Sequence, residues 1–221
     1  MRKNALLAVT ALMFSLSAHA ADPTKTETLV GSANKTLRTF LAEENLEWFK
    51  NHLRDAWGVM IIPKMITAGF VVAGSGGEAL LLARDAETGK WSDPAFYRVG
   101  GFSVGLQAGG QTAEVILLVR SDRALRSLMR TRGKFSAAGS IAVGPVGGGV
   151  ESNVTAELVS FTRAKGAFAG VSLGGSAVEP NAEFNGQYYG REITPEEILI
   201  NKSVSNPVSN ELKTTLTNAA K

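Results

Sequence analysis

Between residues 58 and 178 the chain repeats one pattern: short apolar runs of strand-forming residues, broken by single glycines or glycine clusters. Residues 100–120, GGFSVGLQAGGQTAEVILLVR, show it in full. Small and apolar residues alternate, Gly109-Gly110 interrupts them, and an apolar run over 115–119 closes the stretch. Glycine inside a strand pattern marks a bulge, a bend or a close backbone approach, so such strands must curve. No strand–helix–strand alternation repeats, which argues against a parallel doubly wound sheet. The expected fold is α+β and mainly antiparallel β: a glycine-rich curved sheet or barrel with N-terminal, middle and C-terminal helices.

Apolar residues make up 44% of the 221, enough to bury a continuous core in one domain. The sequence has no cysteine, which excludes disulfides, thiolate-held metals and thiol nucleophiles. Arg2 and Lys3 precede an apolar run over 5–16, and Ala18-His19-Ala20 fits the small-x-small cleavage rule. Residues 1–20 therefore read as a signal peptide cut between Ala20 and Ala21, and the apolar run is too short to span a membrane. No cysteine follows the cut, so the expected product is periplasmic or secreted and not a lipoprotein. Loss of Arg2 and Lys3 takes the formal charge from +3 to +1 and leaves His52 as the sole histidine. A near-neutral chain does not suit a nucleic-acid partner.

The mature chain, 21–221, reads as one domain. Residues 32–57 are helical, but apolar residues occupy two arcs (Leu37, Phe40, Leu41 against Leu46, Phe49, Leu53), so two shorter helices are expected. Lys35, Arg38, Lys50 and Arg54 decorate this region, either as a solvated face or as a basic amphipathic surface for anionic lipid. Gly58 is expected to cap the helix in a left-handed conformation, and Pro63 to stop the strand that follows. A β-rich core over 58–200 contains the turn DAETGK at 85–90 and a helix over 121–130 capped by Ser121. Thr194-Pro195-Glu196-Glu197 is a capping box, and a last helix spans 207–219.

Candidate chemistry fails on context. Residues 74–79 fit a dinucleotide fingerprint, but only a short strand precedes the DAETGK turn and no helix follows to hold a pyrophosphate. Ser75 sits in an elbow-like A-x-S-x-G, yet His52 precedes it, against the nucleophile-first order of α/β-hydrolases. Residues 144–149 lack the Lys-Ser/Thr of a phosphate loop, and no calcium loop occurs. No enzymatic activity, cofactor or metal is expected, which leaves a binding or structural role.

Several segments together resemble the SYLF domain family. They are GVMIIPK at 58–64, AGF at 68–70, the glycines of 74–77, WSDPAFY at 91–97 and GLQAGGQ at 105–111. GPVG at 144–147, KGAFAGVSL at 165–173 and NGQYYG at 185–190 complete them. The resemblance implies a non-catalytic phospholipid-binding module, of the type found in exported bacterial proteins and in eukaryotic membrane-trafficking proteins. Three departures stand out. Gly174 replaces an acidic residue common in the family, and Gln111 and Glu114 lie in altered surroundings. The 221 residues also contain no SH3 or FYVE segment, so actin-linked roles are not expected to carry over.

The resulting expectation is a peripheral membrane protein on an anionic phospholipid surface. Lys35, Arg38, Lys50, Arg54 and Lys64 would meet head groups, while Trp48, Phe49 or Trp57 enters the interface. Alternatively, those aromatics close the end of the sheet. The competing function is a soluble periplasmic scaffold or stress-associated interaction domain with an envelope protein as partner. A third reading is a small apolar ligand held inside a barrel.

Overall fold

The computed structural model describes residues 23–69, 72–104, 109–130, 133–134, 139–146, 154–164, 166–169 and 176–221. The expected signal peptide lies outside them. Helix α1 (Lys25–Ala42) starts seven residues before the sequence pattern suggested. Thr24 and Glu27 form a reciprocal capping box there, which fixes the first turn. Glu43 is extended and ends the helix; a 3-10 turn (Glu44–Leu46) then leads into α2 (Glu47–Leu53). That break resolves the two apolar arcs: each short helix turns its own stripe inward.

Among the described residues nine strands form one sheet: β1 (Gly58–Gly69), β2 (Val72–Ala83), β3 (Ala95–Val104), β4 (Gly109–Val119), β5 (Gly133–Lys134), β6 (Ile141–Val143), β7 (Leu158–Ala164), β8 (Ala167–Ala169) and β9 (Ala177–Pro180). The order is β5-β9-β3-β2-β1-β4-β7-β6, with β8 also on β7, and all pairs are antiparallel except β6 with β7. Seven inter-strand steps at ~4.8 Å would hold the outer strands ~34 Å apart in a flat sheet. The seven residues from Lys134 to Ile141 reach at most ~25 Å, so the sheet must curl. Among the described residues its two edges do not pair, and it is a curved sheet rather than a closed barrel.

Two expectations at the start of the sheet are corrected. Gly58 is no helix cap: it lies within the ladder, paired with Ala83 and Val119, and its φ is not left-handed. Glycine fits the close packing there, since a Cβ would stand 3.0 Å from the Leu82 carbonyl oxygen and 3.2 Å from Leu125 Cδ1. Pro63 does not stop β1 either. The register slips by one residue between Ile62 and Met65, and this bulge absorbs the residue that has no N–H to donate.

The strands are buried on both faces, which is why GVMII, ALLLA and VILLV read as continuous apolar runs rather than alternating ones. Met60, Ile62, Leu81, Tyr97 and Leu117 pack on one face with Leu125 and Leu128 of α3 (Asp122–Met129). Ile198 and Leu199 of α5 (Pro195–Leu199), after α4 (Ala182–Tyr189), join them. Ile61, Leu80, Phe96, Ile116, Leu118 and Phe161 form the other face with α1, α2 and α6 (Asn210–Ala219). The middle helix, the 194–197 capping box and the last helix stand where the sequence placed them. Helix α4 had no periodic signal of its own; Asn181 caps its start and Gly190, at φ +71°, its end.

Candidate functional site

The basic and aromatic residues of the N-terminal region do not converge on one patch. Lys35 and Arg38 line a groove between α1 and α6, where Arg38 Nη2 is 2.7 Å from Glu211 Oε1. Lys50 and Arg54 belong to α2 and its end, and Arg54 lies 3.7 Å from Asp55. Lys35 and Lys50 have no acidic partner among the described residues, and neither does Lys64. Trp48 is half-buried: it stacks on His52 at 3.8 Å, lies 5.9 Å from the Phe161 ring and takes the Arg120 guanidinium at 5.6 Å. Trp57 packs against the core on the opposite face of the sheet, and Phe49 is fully buried. The three aromatics therefore do not share a surface.

Lys64 occupies a more informative position, in the β1 bulge. At its level the sheet carries a transverse row of charges on the α1-facing side. Ladder pairing sets Glu179 beside Arg98, Arg98 beside Glu78, and Arg163 beside Glu114, with Pro63-Lys64 between Glu78 and Glu114. The sign alternates from strand to strand across six strands. Arg163 Nη1 bonds Glu114 Oε2 at 2.8 Å, and Thr36 of α1 donates to Glu114 Oε1 at 2.8 Å. Arg98 bridges Glu183 at 3.1 Å and Glu78 at 3.8 Å, while Asn181 Nδ2 donates to Glu78 at 3.1 Å. The residues come from six strands, so only the ladder register could reveal the row.

Past this row the α1-facing side of the strands opens onto a groove. Gly74, Gly76 and Gly100 floor an open groove of about 940 Å³, with Ile66 on one side and Arg98 and Glu179 on the other. Ile66 is 47% exposed, the most of any large apolar side chain among the described residues. Gly77 adjoins the bulge, where a Cβ would fall 2.5 Å from the Lys64 carbonyl oxygen.

The WSDPAFY segment, by contrast, is a clasp. Asp93 Oδ1 accepts from Ser209 Oγ at 2.6 Å and from Asn206 N at 3.0 Å, and its Oδ2 accepts from Lys213 Nζ at 2.9 Å. Phe96 N–H donates to Asn185 Oδ1 at 2.8 Å, and Tyr189 Oη donates to the Pro94 carbonyl at 2.7 Å. Burial pushes the Tyr189 phenol well above its ordinary pKa, so it stays a neutral donor. Ser75 Oγ donates to the Gly101 carbonyl in mid-sheet, and residues 74–77 run through β2 with no helix behind them. Among the described residues no group of three or more His, Asp or Glu side chains is placed to hold a metal. None of their helices is long and apolar enough to cross a membrane.

Fold and surface together define a class: α+β proteins built on one curled, glycine-rich, mainly antiparallel sheet clad by helices on both faces. Residues 100–219 match the Ysc84 family, described as "Las17-binding protein actin regulator". Human SH3 domain-containing YSC84-like protein 1 is 32% identical over 153 residues, covering 66% of this chain and 44% of that protein. An SH3 domain-containing protein of Schizosaccharomyces pombe is 34% identical over 155 residues (66% and 35%). Protein YSC84 of Saccharomyces cerevisiae is 30% identical over 168 residues (72% and 35%). The chain spans less than half the length of these curated relatives. It belongs to the Ysc84, or SYLF, family.

Proposed function

We propose that the chain is an exported, non-catalytic phospholipid-binding module that attaches peripherally to anionic membranes. The observation that carries this reading is the unpaired positive charge of Lys35, Lys50 and Lys64. It stands against a background in which Arg38, Arg98, Arg126, Arg163 and Lys213 each have a carboxylate within 4 Å. An unpaired lysine at an anionic surface gains about 1 kcal/mol, whereas one already in an ion pair gains less. Four or five basic contacts of about 1 kcal/mol each suffice for reversible attachment, and Arg54 beside the three lysines supplies the fourth. The family likeness supports the same reading, while the words actin and Las17 describe the family and SH3 describes the relatives.

The quadruple variant Lys35→Gln, Lys50→Gln, Arg54→Gln, Lys64→Gln tests it. These side chains are exposed or half-exposed and lie outside the two cores, so the fold should persist. Co-sedimentation with phosphatidylglycerol-containing vesicles at low salt is expected to fall by at least ~10-fold, from about 1 kcal/mol per contact discounted for uneven engagement. Equal binding of variant and parent would end this account. Indifference of the parent itself to vesicles would favour the scaffold reading.

A further inference from the structure

The lysines account for head-group attraction, but Trp48, Phe49 and Trp57 are stacked, buried or on opposite faces, and none supplies a shared apolar contact. The charge row points elsewhere. In the sequence no ionisable residue occurs between Lys64 and Glu78 or between Arg98 and Glu114. The described residues of those intervals, 65–69, 72–77, 99–104 and 109–113, form the ends of β1, β2, β3 and β4 that extend past the row. Five to six residues of each strand lie beyond it, or ~17–20 Å at ~3.3 Å per residue.

We infer that this charge-free end of the sheet is the part that enters the lipid, with the Glu78/Arg98/Glu114/Arg163 row and Lys64 standing at the head-group level. The inference rests on the peripheral-membrane reading and names which surface performs it. Two features fit hydrocarbon better than a protein partner. Past the row β1, β2, β3 and β4 carry no ionisable residue, as a bilayer demands and a protein interface with its polar rim does not, while Lys134 flanks them on the edge strand β5 beside Ala177. And the charges of the six strands stop at one level, as an apolar band bounded by an interface requires. Glycines on the floor let acyl chains lie against the sheet, and Ile66 is the exposed side chain placed to enter first.

The chain has no cysteine, so Ile66→Cys gives a unique site for an environment-sensitive fluorophore, with Ala86→Cys, exposed in the turn at the opposite end of the sheet, as the control. Vesicles of phosphatidylcholine and phosphatidylglycerol in equal parts are the probe. The Ile66 label is expected to brighten several-fold and shift to the blue, and lipids spin-labelled along the chain should quench it. The Ala86 label should stay in water. An unlabelled Ile66→Asp variant should bind at least ~10-fold more weakly with an unchanged melting curve, because an ionised group must be drawn towards hydrocarbon. If the parent co-sediments while the Ile66 label does not respond and Ile66→Asp binds normally, the lipid-facing end is overturned and head-group binding stands. If the label responds to protein concentration alone, a second copy covers this face and the inference also fails. If the parent does not bind vesicles at all, the membrane reading falls and takes this inference with it.

Discussion

Asp93→Ala is expected to destabilise the protein by ~3–5 kcal/mol, the range for removing one partner of a buried charge pair. The carboxylate is only 7% exposed and accepts three hydrogen bonds, all from the segment that launches the last helix. Without it, fully buried Ser209 Oγ keeps only the Asn206 carbonyl, and the Lys213 ammonium is left mostly buried and unpaired. Leu212 and Leu216, both fully buried against α1, depend on the placement of that helix. At ~2–4 °C per kcal/mol for a chain of this size, the melting midpoint should fall by ~6–20 °C. Asp93→Asn, which keeps an acceptor but loses the charge, should recover part of the loss. A shift of Asp93→Ala within ~0.5 kcal/mol of the parent, as at ordinary surface sites, would mean that the clasp does not hold the helix.

The second large effect is expected at Gly77. A Cβ there would lie 2.5 Å from the Lys64 carbonyl oxygen and 3.2 Å from Ile62 Cγ2. The first of these is backbone inside a sheet and cannot swing away, so β1 and β2 must separate locally. Overpacking of this kind costs ~1–3 kcal/mol for Gly77→Ala, and Gly77→Val should cost more because it adds branched bulk at the same point. The measurement is the urea midpoint. Because Gly77 sits against the bulge that presents Lys64, the variant should also weaken vesicle binding at temperatures where it remains folded. Gly74→Ala is the control: nothing stands within 4 Å of its Cβ position, and stability should barely change. Equal midpoints for Gly77→Ala and Gly74→Ala would contradict the bulge geometry.

These two sites show what the sequence discloses and what it withholds. The apolar runs around Met60, Leu81 and Leu117 announce strands, and the glycines announce curvature, because both are local consequences of composition. Double-sided burial is legible too, since a strand covered on one face would alternate. Helix α4 was not legible: its stripe is weak, Gly186 lies inside it, and it forms because Asn181 and Gly190 cap it while Tyr188 and Asn185 dock on β3. Gly58 misled for a physical reason. Glycine after a helix usually relaxes a left-handed cap, and here it relieves a clash with Leu82 and Leu125. The WSDPAFY segment was conspicuous as a motif, but its hydrogen-bond partners lie about a hundred residues away.

The candidate site divides in the same way. Its cations were visible one by one, and Lys35, Lys50 and Lys64 remain free of acidic partners among the described residues. Arg38 was equally conspicuous, yet Glu211, far along the chain, holds it. The alternating row from Glu179 to Arg163 exists only once the strands are in register, so no spacing rule finds it. A charge-free interval between Arg98 and Glu114 is plain in the sequence, but its meaning depends on a second one, between Lys64 and Glu78, lying beside it.

Attachment to anionic lipid is read most simply by co-sedimentation of the chain beginning at Ala21 with anionic and with neutral vesicles across a salt series. At about 0.01 M salt the screening length is ~30 Å, and at about 1 M it is ~3 Å. Binding to the anionic vesicles is expected at the low end, with most of it lost at the high end and little binding to the neutral ones throughout. No association with anionic vesicles at about 0.01 M salt would contradict it.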